Sequence, residues 1–276
     1  MPALLETNPG PPLEVAQFAR CVDCATALDG HAQCPTCRRP YPVVGGILEA
    51  LGPLQGSNRV AAEFYNGPDW PRFKFWENVF LWFQGPGVSK ARGQVLRHLP
   101  NALAARVLEV GIGDGENLSR LPSGWQVYGV DVARNRLEAC VARHPFMSGR
   151  LALAEAERLP FADASFDAVF TVGGINYFHD PAQSLREMAR VARRGAPLIA
   201  ADERPDLYRF SLGHALGLEA VDRFCLRLTG LAPAFLAMVY QTPAAVESAA
   251  RQVWPEHRRV PIWNRLGYCL VDVRQS

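Results

Sequence analysis

The chain has 276 residues, a formal net charge of +2 and 49% apolar residues, enough to bury a large core in one elaborated α/β domain or in two domains, and too apolar for disorder over most of its length. Its basic residues form no dense run, only the isolated pairs Arg38-Arg39, Arg193-Arg194 and Arg258-Arg259, so nucleic acid is disfavoured as a partner. No apolar stretch reaches spanning length and the N-terminus lacks the basic start and apolar core of a signal peptide, so a soluble cytoplasmic protein without a membrane span is expected.

In chain order, residues 1–14, with Pro2, Pro9, Pro11 and Pro12, read as a disordered leader. Residues 15–52 carry Cys21-x-x-Cys24 and Cys34-x-x-Cys37, with Asp29-Gly30 as a tight turn between the two knuckles. Four thiolates so spaced suit a tetrahedral zinc ion. Two disulfides, or a ribbon geometry retained without metal, are the alternatives; a reducing compartment disfavours the first. Redox use is disfavoured because neither Cys-x-x-Cys opens a helix of a βαβ unit. Cys140, Cys225 and Cys269 sit in apolar surroundings and read as packing residues. The run Cys34-Pro35-Thr36-Cys37-Arg38-Arg39-Pro40-Tyr41-Pro42-Val43-Val44-Gly45-Gly46-Ile47 is similar to the small zinc-ribbon modules related to Trm112. That resemblance implies a structural zinc on Cys21, Cys24, Cys34 and Cys37, since so small a module buries no core of its own.

Residues 53–100 form a linker that is too aromatic to be only a linker: Phe64, Tyr65, Trp70, Phe73, Phe75, Trp76, Phe80, Trp82 and Phe83 all lie within 64–83. The residues themselves read as a helix packed on a sheet domain by its aromatic stripe.

The most informative stretch is Arg106-Val107-Leu108-Glu109-Val110-Gly111-Ile112-Gly113-Asp114-Gly115-Glu116-Asn117-Leu118, a buried strand leading through a glycine turn into an expected helix start. Strand-end glycines let a ligand approach the backbone, and free N–H groups at a helix start favour a carboxylate or phosphate. Glu116 stands where a dinucleotide fingerprint needs its third glycine, which disfavours a nicotinamide cofactor. Gln126-Val127-Tyr128-Gly129-Val130-Asp131 reads as a second buried strand ending in an acid about twenty residues after the glycines, able to hold ribose hydroxyls. The alternative is that the glycines only turn a strand and that Asp131 is a solvated strand end. Ala154-Glu155-Ala156-Glu157-Arg158-Leu159-Pro160-Phe161, Ser165 to Val172 and Val191 to Ala200 continue the series; taken singly, Glu155 and Glu157 read equally as surface charges or ligand contacts.

Across residues 105–203 these ordered motifs resemble the class I S-adenosylmethionine-dependent methyltransferases, in the type 11 branch that includes the ubiquinone and menaquinone biosynthesis methylases. The resemblance implies an α/β, Rossmann-like domain over 101–276 with seven strands, the last antiparallel, and S-adenosyl-L-methionine as cofactor. It places the methionine part in the turn of Glu109, Gly111, Gly113 and Gly115, and the ribose at Asp131 beside Val132. Glu155 stands where the family usually has Asp; it would accept from the adenine amino group while the Ala156 N–H faces the ring. Thr171 and Val172 would pass beneath the sulfonium, with Gly173 and Gly174 opening the pocket floor. The resemblance also implies that the aromatic segment within 53–100, which precedes the first strand, folds over the cofactor mouth as a substrate lid, a role compatible with a helix packed on the sheet.

After the fourth motif come Asn176, Tyr177 and His179, and His179 is the preferred general base by side-chain chemistry. The alternative is a surface loop residue before the Asp180-Pro181 helix start, and no family role transfers to that position. Thr171-Val172-Gly173-Gly174 stands where methylases of exocyclic amines and glutamine amides carry Asn-Pro-Pro-Tyr, which disfavours such nitrogen methylation. Residues 205–254, with Leu207, Phe210, Leu212, Leu216, Leu218, Val221, Phe224 and Leu228, are expected to form a helical substrate-covering insertion broken by Pro233 and Pro243. His257–Ile262 and Gly267–Val273 read as the last two strands.

The function expected is methyl transfer by direct displacement to oxygen or carbon of a small, apolar or aromatic metabolite, which needs alignment in a dry pocket and, for weakly acidic acceptors, proton removal. The alternatives are a ribosomal guanine (RNA) methyltransferase reading RNA with its zinc ribbon, and a non-catalytic partner-binding scaffold. The sequence leaves the oligomeric state open.

Overall fold

The computed structural model describes residues 14–30, 32–83, 87–204, 217 and 243–275. The leader up to residue 13, the helices expected over 205–242 and Cys225 lie outside the described residues.

Among the described residues, nine strands form one sheet in the order β1-β2-β5-β4-β3-β6-β7-β9-β8. They are β1 Val43–Val44, β2 Ile47–Glu49, β3 Arg106–Val110, β4 Gln126–Asp131, β5 Leu151–Leu153, β6 Ala168–Val172, β7 Pro197–Glu203, β8 Arg258–Ile262 and β9 Gly267–Val273. The six from β2 to β7 run parallel, while β1 and β9 pair antiparallel with their neighbours. The expectation of seven strands is therefore corrected to nine among the described residues. The two additional strands are the hairpin that follows the cysteine knuckles. Its strand β2 pairs Ile47, Leu48 and Glu49 with Leu151, Ala152 and Leu153. Ile47 and Leu48 are fully buried and belong to the cores on opposite faces, so the hairpin closes the sheet edge with apolar surface it cannot bury alone.

The parallel strands are apolar on both faces, as a doubly covered sheet requires. In β3, Leu108 and Val110 enter one core and Val107 the other, following the two-residue alternation of a strand. The helices are α1 Gly56–Asn66, α2 Trp70–Phe83, α3 Val88–Leu96, α4 Arg134–Arg143, α5 Pro181–Val191 and α6 Pro243–Val253. Helix α5 shows why such a segment folds locally. Asp180 caps it by accepting from the Gln183 N–H at 3.0 Å, Pro181 opens it, and Ser184, Leu185, Met188 and Val191 bury one face. The Trp254 indole donates to the Leu185 carbonyl at 3.2 Å, tying α6 to α5.

The glycine turn after β3 does not open an α-helix. Only a single 3₁₀ turn, Leu118–Arg120, follows before Pro122 and Gly124 redirect the chain into β4. The helix start expected there is absent, so the anion preference of a helix N-terminus plays no part at this turn.

The N-terminal segment is held on the domain by apolar contacts and hydrogen bonds. Phe18 packs edge-on against Tyr128 and Phe166 with centroids at 4.9 and 5.4 Å. The Ala162 N–H donates to the Phe18 carbonyl at 2.8 Å, and the Arg20 N–H to the Pro160 carbonyl at 3.0 Å. Cys21, Cys34 and Tyr41 are buried in the same core as Leu185 and Met188. Among the described residues no helix is long and apolar enough to cross a membrane.

Candidate functional site

Strand β3 is paired with β4 on one side and β6 on the other, and the connections leave the sheet in opposite directions from this point. In open α/β sheets such a switch point creates a crevice beyond the carboxyl ends of the strands. Here the crevice is a cavity floored by Val110, Gly111, Ile112 and Gly113 after β3, Asp131 and Val132 after β4, Val172 to Gly174 after β6, and Glu203 at the end of β7. Helices α1 and α2 roof it with Asn58, Ala61, Tyr65, Trp70, Phe73 and Lys74, and Arg92 reaches in from α3.

Glu109 is 2% exposed. Its Oε1 accepts from Asn117 Nδ2 at 2.6 Å, while Oε2 is buried with no hydrogen-bond partner among the described residues. Burial pushes its carboxyl up to about 8, against the pull of the Asn117 amide and the Arg92 charge. Asp131 accepts from two backbone N–H groups, Gly113 at 2.9 Å and Ala133 at 2.8 Å. Burial raises its carboxyl pKa although those bonds oppose the shift. The Gly113 backbone is left-handed, with φ of +56°, and a β-carbon there would meet no atom within 4 Å; Gly173, at +78°, is equally open. Gly115 differs, because its β-carbon would fall 2.7 Å from Leu118 Cδ1 and 2.8 Å from Cys140 Sγ. Gly113 and Gly173 therefore border open space, Gly111 lines the cavity with Thr171 and Phe178 at van der Waals distance from where a β-carbon would sit, and Gly115 serves packing.

The remaining sequence candidates divide sharply. Val132, Ala156 and Tyr177 line the cavity, and Glu155, Thr171, Asn176 and His179 do not. Glu155 Oε1 accepts from Asn58 Nδ2 at 3.1 Å, and the same amide donates to the buried Glu157 Oε2 at 2.9 Å. Asn58 Oδ1 in turn accepts from the His179 N–H at 3.2 Å, so one buried asparagine of α1 fastens the roof to both loops. Thr171 is fully buried behind the floor, its hydroxyl without a partner among the described residues. His179, the expected base, is exposed and stacked on the start of α1, where a β-carbon at Gly56 would lie 2.2 Å from its Nδ1. Asn176 is used up structurally: its N–H donates to Asp202 at 2.9 Å, its amide to the Glu203 carbonyl at 2.8 Å, and its Oδ1 accepts from the Tyr268 hydroxyl at 2.7 Å. Tyr177 alone of the three reaches the cavity, and its hydroxyl donates to Glu203 Oε1 at 2.8 Å. Burial raises the Tyr177 pKa well above its ordinary value, and the Glu203 charge adds to the shift.

Besides Asn58, two features escaped sequence reasoning. Glu203 ends a strand with no motif around it. The ion-pair group of Lys74 with Asp114 at 3.1 Å and Glu116 at 3.6 Å, and of Arg92 with Glu116 at 2.9 Å, joins helices α2 and α3 to the glycine turn. Despite its burial, Asp114 is held below the ordinary carboxylate range by Lys74 and Arg143. Of the aromatic segment, Tyr65, Trp70 and Phe73 line the cavity, whereas Phe75 and Trp82 are 60% and 72% exposed, so the stripe is not wholly buried.

Away from the cavity, the Sγ atoms of Cys21, Cys24, Cys34 and Cys37 all lie within 4.8 Å of one another. The pairs Cys24–Cys34 and Cys21–Cys37 are 3.2 and 3.6 Å apart and all four are free thiols. Tetrahedral zinc, with Zn–S of about 2.3 Å, sets S···S at about 3.8 Å, close to these separations.

Residues 108–200 match the family described as "Methyltransferase domain". Among curated proteins, the chain is 38% identical over 117 residues to the methyltransferase GfsG of Streptomyces halstedii, covering 40% of this chain and 41% of that protein. It is 30% identical over 137 residues to the O-methyltransferase resE of Aspergillus sclerotiorum, covering 48% and 50%. The chain thus spans about half or less of the length of the curated relatives it matches. A solved SAM-dependent methyltransferase from Aquifex aeolicus aligns over 75% of this chain and 98% of its own with a TM-score of 0.49 and 14% identity.

Proposed function

We propose that the chain is an S-adenosylmethionine-dependent methyltransferase that acts by direct displacement on oxygen or carbon of a small, apolar or aromatic metabolite. The observation that carries this reading is the cavity at the β3/β6 switch point, which joins the glycine turn, the strand-end acid and an aromatic roof in one space. The matched methyltransferase family spans the strands that build its floor, and the relatives include proteins named as O-methyltransferases.

The residues fit the cofactor on two structural grounds: Gly113 and Gly173 leave open backbone, and Glu109 presents a buried oxygen with no partner among the described residues. Glu109, Gly111 and Gly113 hold the amino-acid part, Asp131 and Val132 the ribose, and Ala156 the adenine. Glu155 acts on the adenine side through Asn58, and Thr171 and Gly115 shape the floor from behind. When bound, the cofactor supplies a methyl group already activated on a sulfonium. The chain's own residues orient the acceptor between aromatic faces and exclude water.

The division of the chain follows the same reading, with 15–52 a zinc-stapled element on Cys21, Cys24, Cys34 and Cys37, 53–100 the cavity roof, and 101–276 the catalytic domain. The test is incubation with methyl-labelled S-adenosylmethionine and a bacterial cell extract. Label in solvent-extractable small molecules is the expected outcome; label confined to nuclease-sensitive RNA would overturn the acceptor assignment.

A further inference from the structure

The cofactor residues proposed above sit at the ends of β3 and β4, whereas the cavity continues along the sheet to the ends of β6 and β7. At that end stand Tyr177, Phe178 and Glu203, facing Tyr65, Trp70 and Phe73 of the roof. Of the carboxylates on the cofactor side, Asp114 and Glu116 are matched by Lys74 and Arg92 and Asp131 by two backbone N–H groups, while Glu109 keeps one buried oxygen without a partner among the described residues, on the side assigned to the cofactor's amino-acid part. Among the described residues, the hydrogen-bond partner that another side chain offers the Glu203 carboxylate is the neutral hydroxyl of Tyr177 at 2.8 Å. One such bond leaves lone pairs on a carboxylate that has room for about four donors.

Glu203 is also rigidly placed. Its carbonyl accepts from the Asn176 amide at 2.8 Å and its N–H donates to Asp202 Oδ1 at 2.9 Å. Asn176 is pinned in turn by the Tyr268 hydroxyl of β9 at 2.7 Å. Among the described residues, the titratable groups facing Glu203 are Tyr177, Asp202 and Tyr268, with the Arg92 charge acting from α3. Burial raises the Glu203 pKa although the Tyr177 bond, its own backbone N–H and Arg92 oppose it, which makes the carboxylate a stronger proton acceptor than an ordinary one.

We propose that Glu203, positioned by Asn176 and Tyr177, is the catalytic residue that takes the proton of the methyl acceptor, and that the acceptor is a neutral aromatic hydroxyl compound rather than a carboxylic acid. This rests on the methyltransferase reading. The acceptor O–H proton passes to a Glu203 oxygen, and the acceptor oxygen forms the new O–CH₃ bond as the S–CH₃ bond breaks. That bond's electron pair stays on sulfur, leaving a neutral thioether, and the proton then leaves Glu203 for solvent. A carboxylate acceptor has no proton to give and is repelled by Glu203 in a partly desolvated space. The aromatic roof supplies the stacking surface for a flat ring.

The test is calorimetric binding of 1-naphthol and 1-naphthoate to the full chain saturated with S-adenosylhomocysteine, for the wild type and for Glu203→Gln. The wild type is expected to prefer naphthol by on the order of tenfold or more. In Glu203→Gln, whose amide carbonyl still accepts from Tyr177, that preference should collapse by at least about threefold while S-adenosylhomocysteine affinity stays within about twofold. Equal or tighter naphthoate binding by the wild type, an unchanged preference in the variant, or binding of neither compound to the saturated protein would each overturn the proposal. Failure of S-adenosylhomocysteine to bind would instead remove the methyltransferase reading, and the two naphthalene titrations on the cofactor-free protein would still read the charge rule at Glu203.

Discussion

Replacing Gly113 and Gly115 separately by alanine separates ligand approach from packing within a single turn. Both residues have left-handed backbones, φ +56° and +76°, so either alanine carries about 1–2 kcal/mol of backbone strain. At Gly113 the added methyl meets nothing within 4 Å and projects beside the cavity, so strain is its whole stability cost. At Gly115 it meets Leu118 at 2.7 Å, Cys140 at 2.8 Å and His144 at 3.0 Å, which adds an overpacking cost of about 1–3 kcal/mol. Urea denaturation should therefore show Gly115→Ala as the less stable variant by that margin. Calorimetry should show the opposite order for S-adenosylmethionine, with Gly113→Ala binding at least about tenfold more weakly than the wild type, or about 1.4 kcal/mol. Wild-type affinity in Gly113→Ala, or equal stability of the two variants, would refute the division of labour between the glycines.

Three further outcomes follow from buried groups. Glu109 ionises near 4.5 when unfolded but only at about 8 when folded, so its stability contribution is complete below 4.5 and is lost as pH rises toward 8. Denaturation across that window should show a decline for the wild type that is weaker in Glu109→Gln, and parallel curves would contradict the burial argument. Asn58→Ala leaves the buried Glu157 without its amide donor and should cost about 2–3 kcal/mol, measured in denaturant, while loosening the roof enough to weaken cofactor binding. Cys34→Ser should lower zinc content measured by atomic emission and expose the N-terminal segment to proteolysis while the parallel sheet stays folded; full metal-free stability of the wild-type segment would contradict zinc as its staple.

Much of the sheet was legible because buried strands write their period directly. The expected second strand coincides with β4 at Gln126–Asp131, and the expected last strand with β9 at Gly267–Val273. The two additional strands were not legible, because two and three residues carry no periodic signal and Ile47-Leu48 reads as apolar whichever partner covers it. The turn after β3 was read too generously: strand and glycines are as expected, but Pro122 and Gly124 stop the helix at one 3₁₀ turn.

In the site, sequence reasoning found the residues whose backbone lines the cavity and misjudged those whose role depends on a distant side chain. His179 has suitable chemistry, but Gly56, more than a hundred residues earlier, receives its ring outside the cavity. Asn176 looks like a polar loop residue until Asp202, Glu203 and Tyr268 consume its donors and acceptor. Glu203 carries no local motif; only the pairing of β6 with β7 brings it to Tyr177. Asn58 has no local signal either, since its partners lie near residues 155–157 and 179.

The most direct test of the central claim is a calorimetric titration of S-adenosylmethionine into the purified chain, repeated with Asp131→Ala. Stoichiometric binding that Asp131→Ala weakens by about 1–3 kcal/mol is the predicted result. No measurable binding by a folded wild-type protein, or equal affinity in both, would contradict the assignment of this cavity to the cofactor.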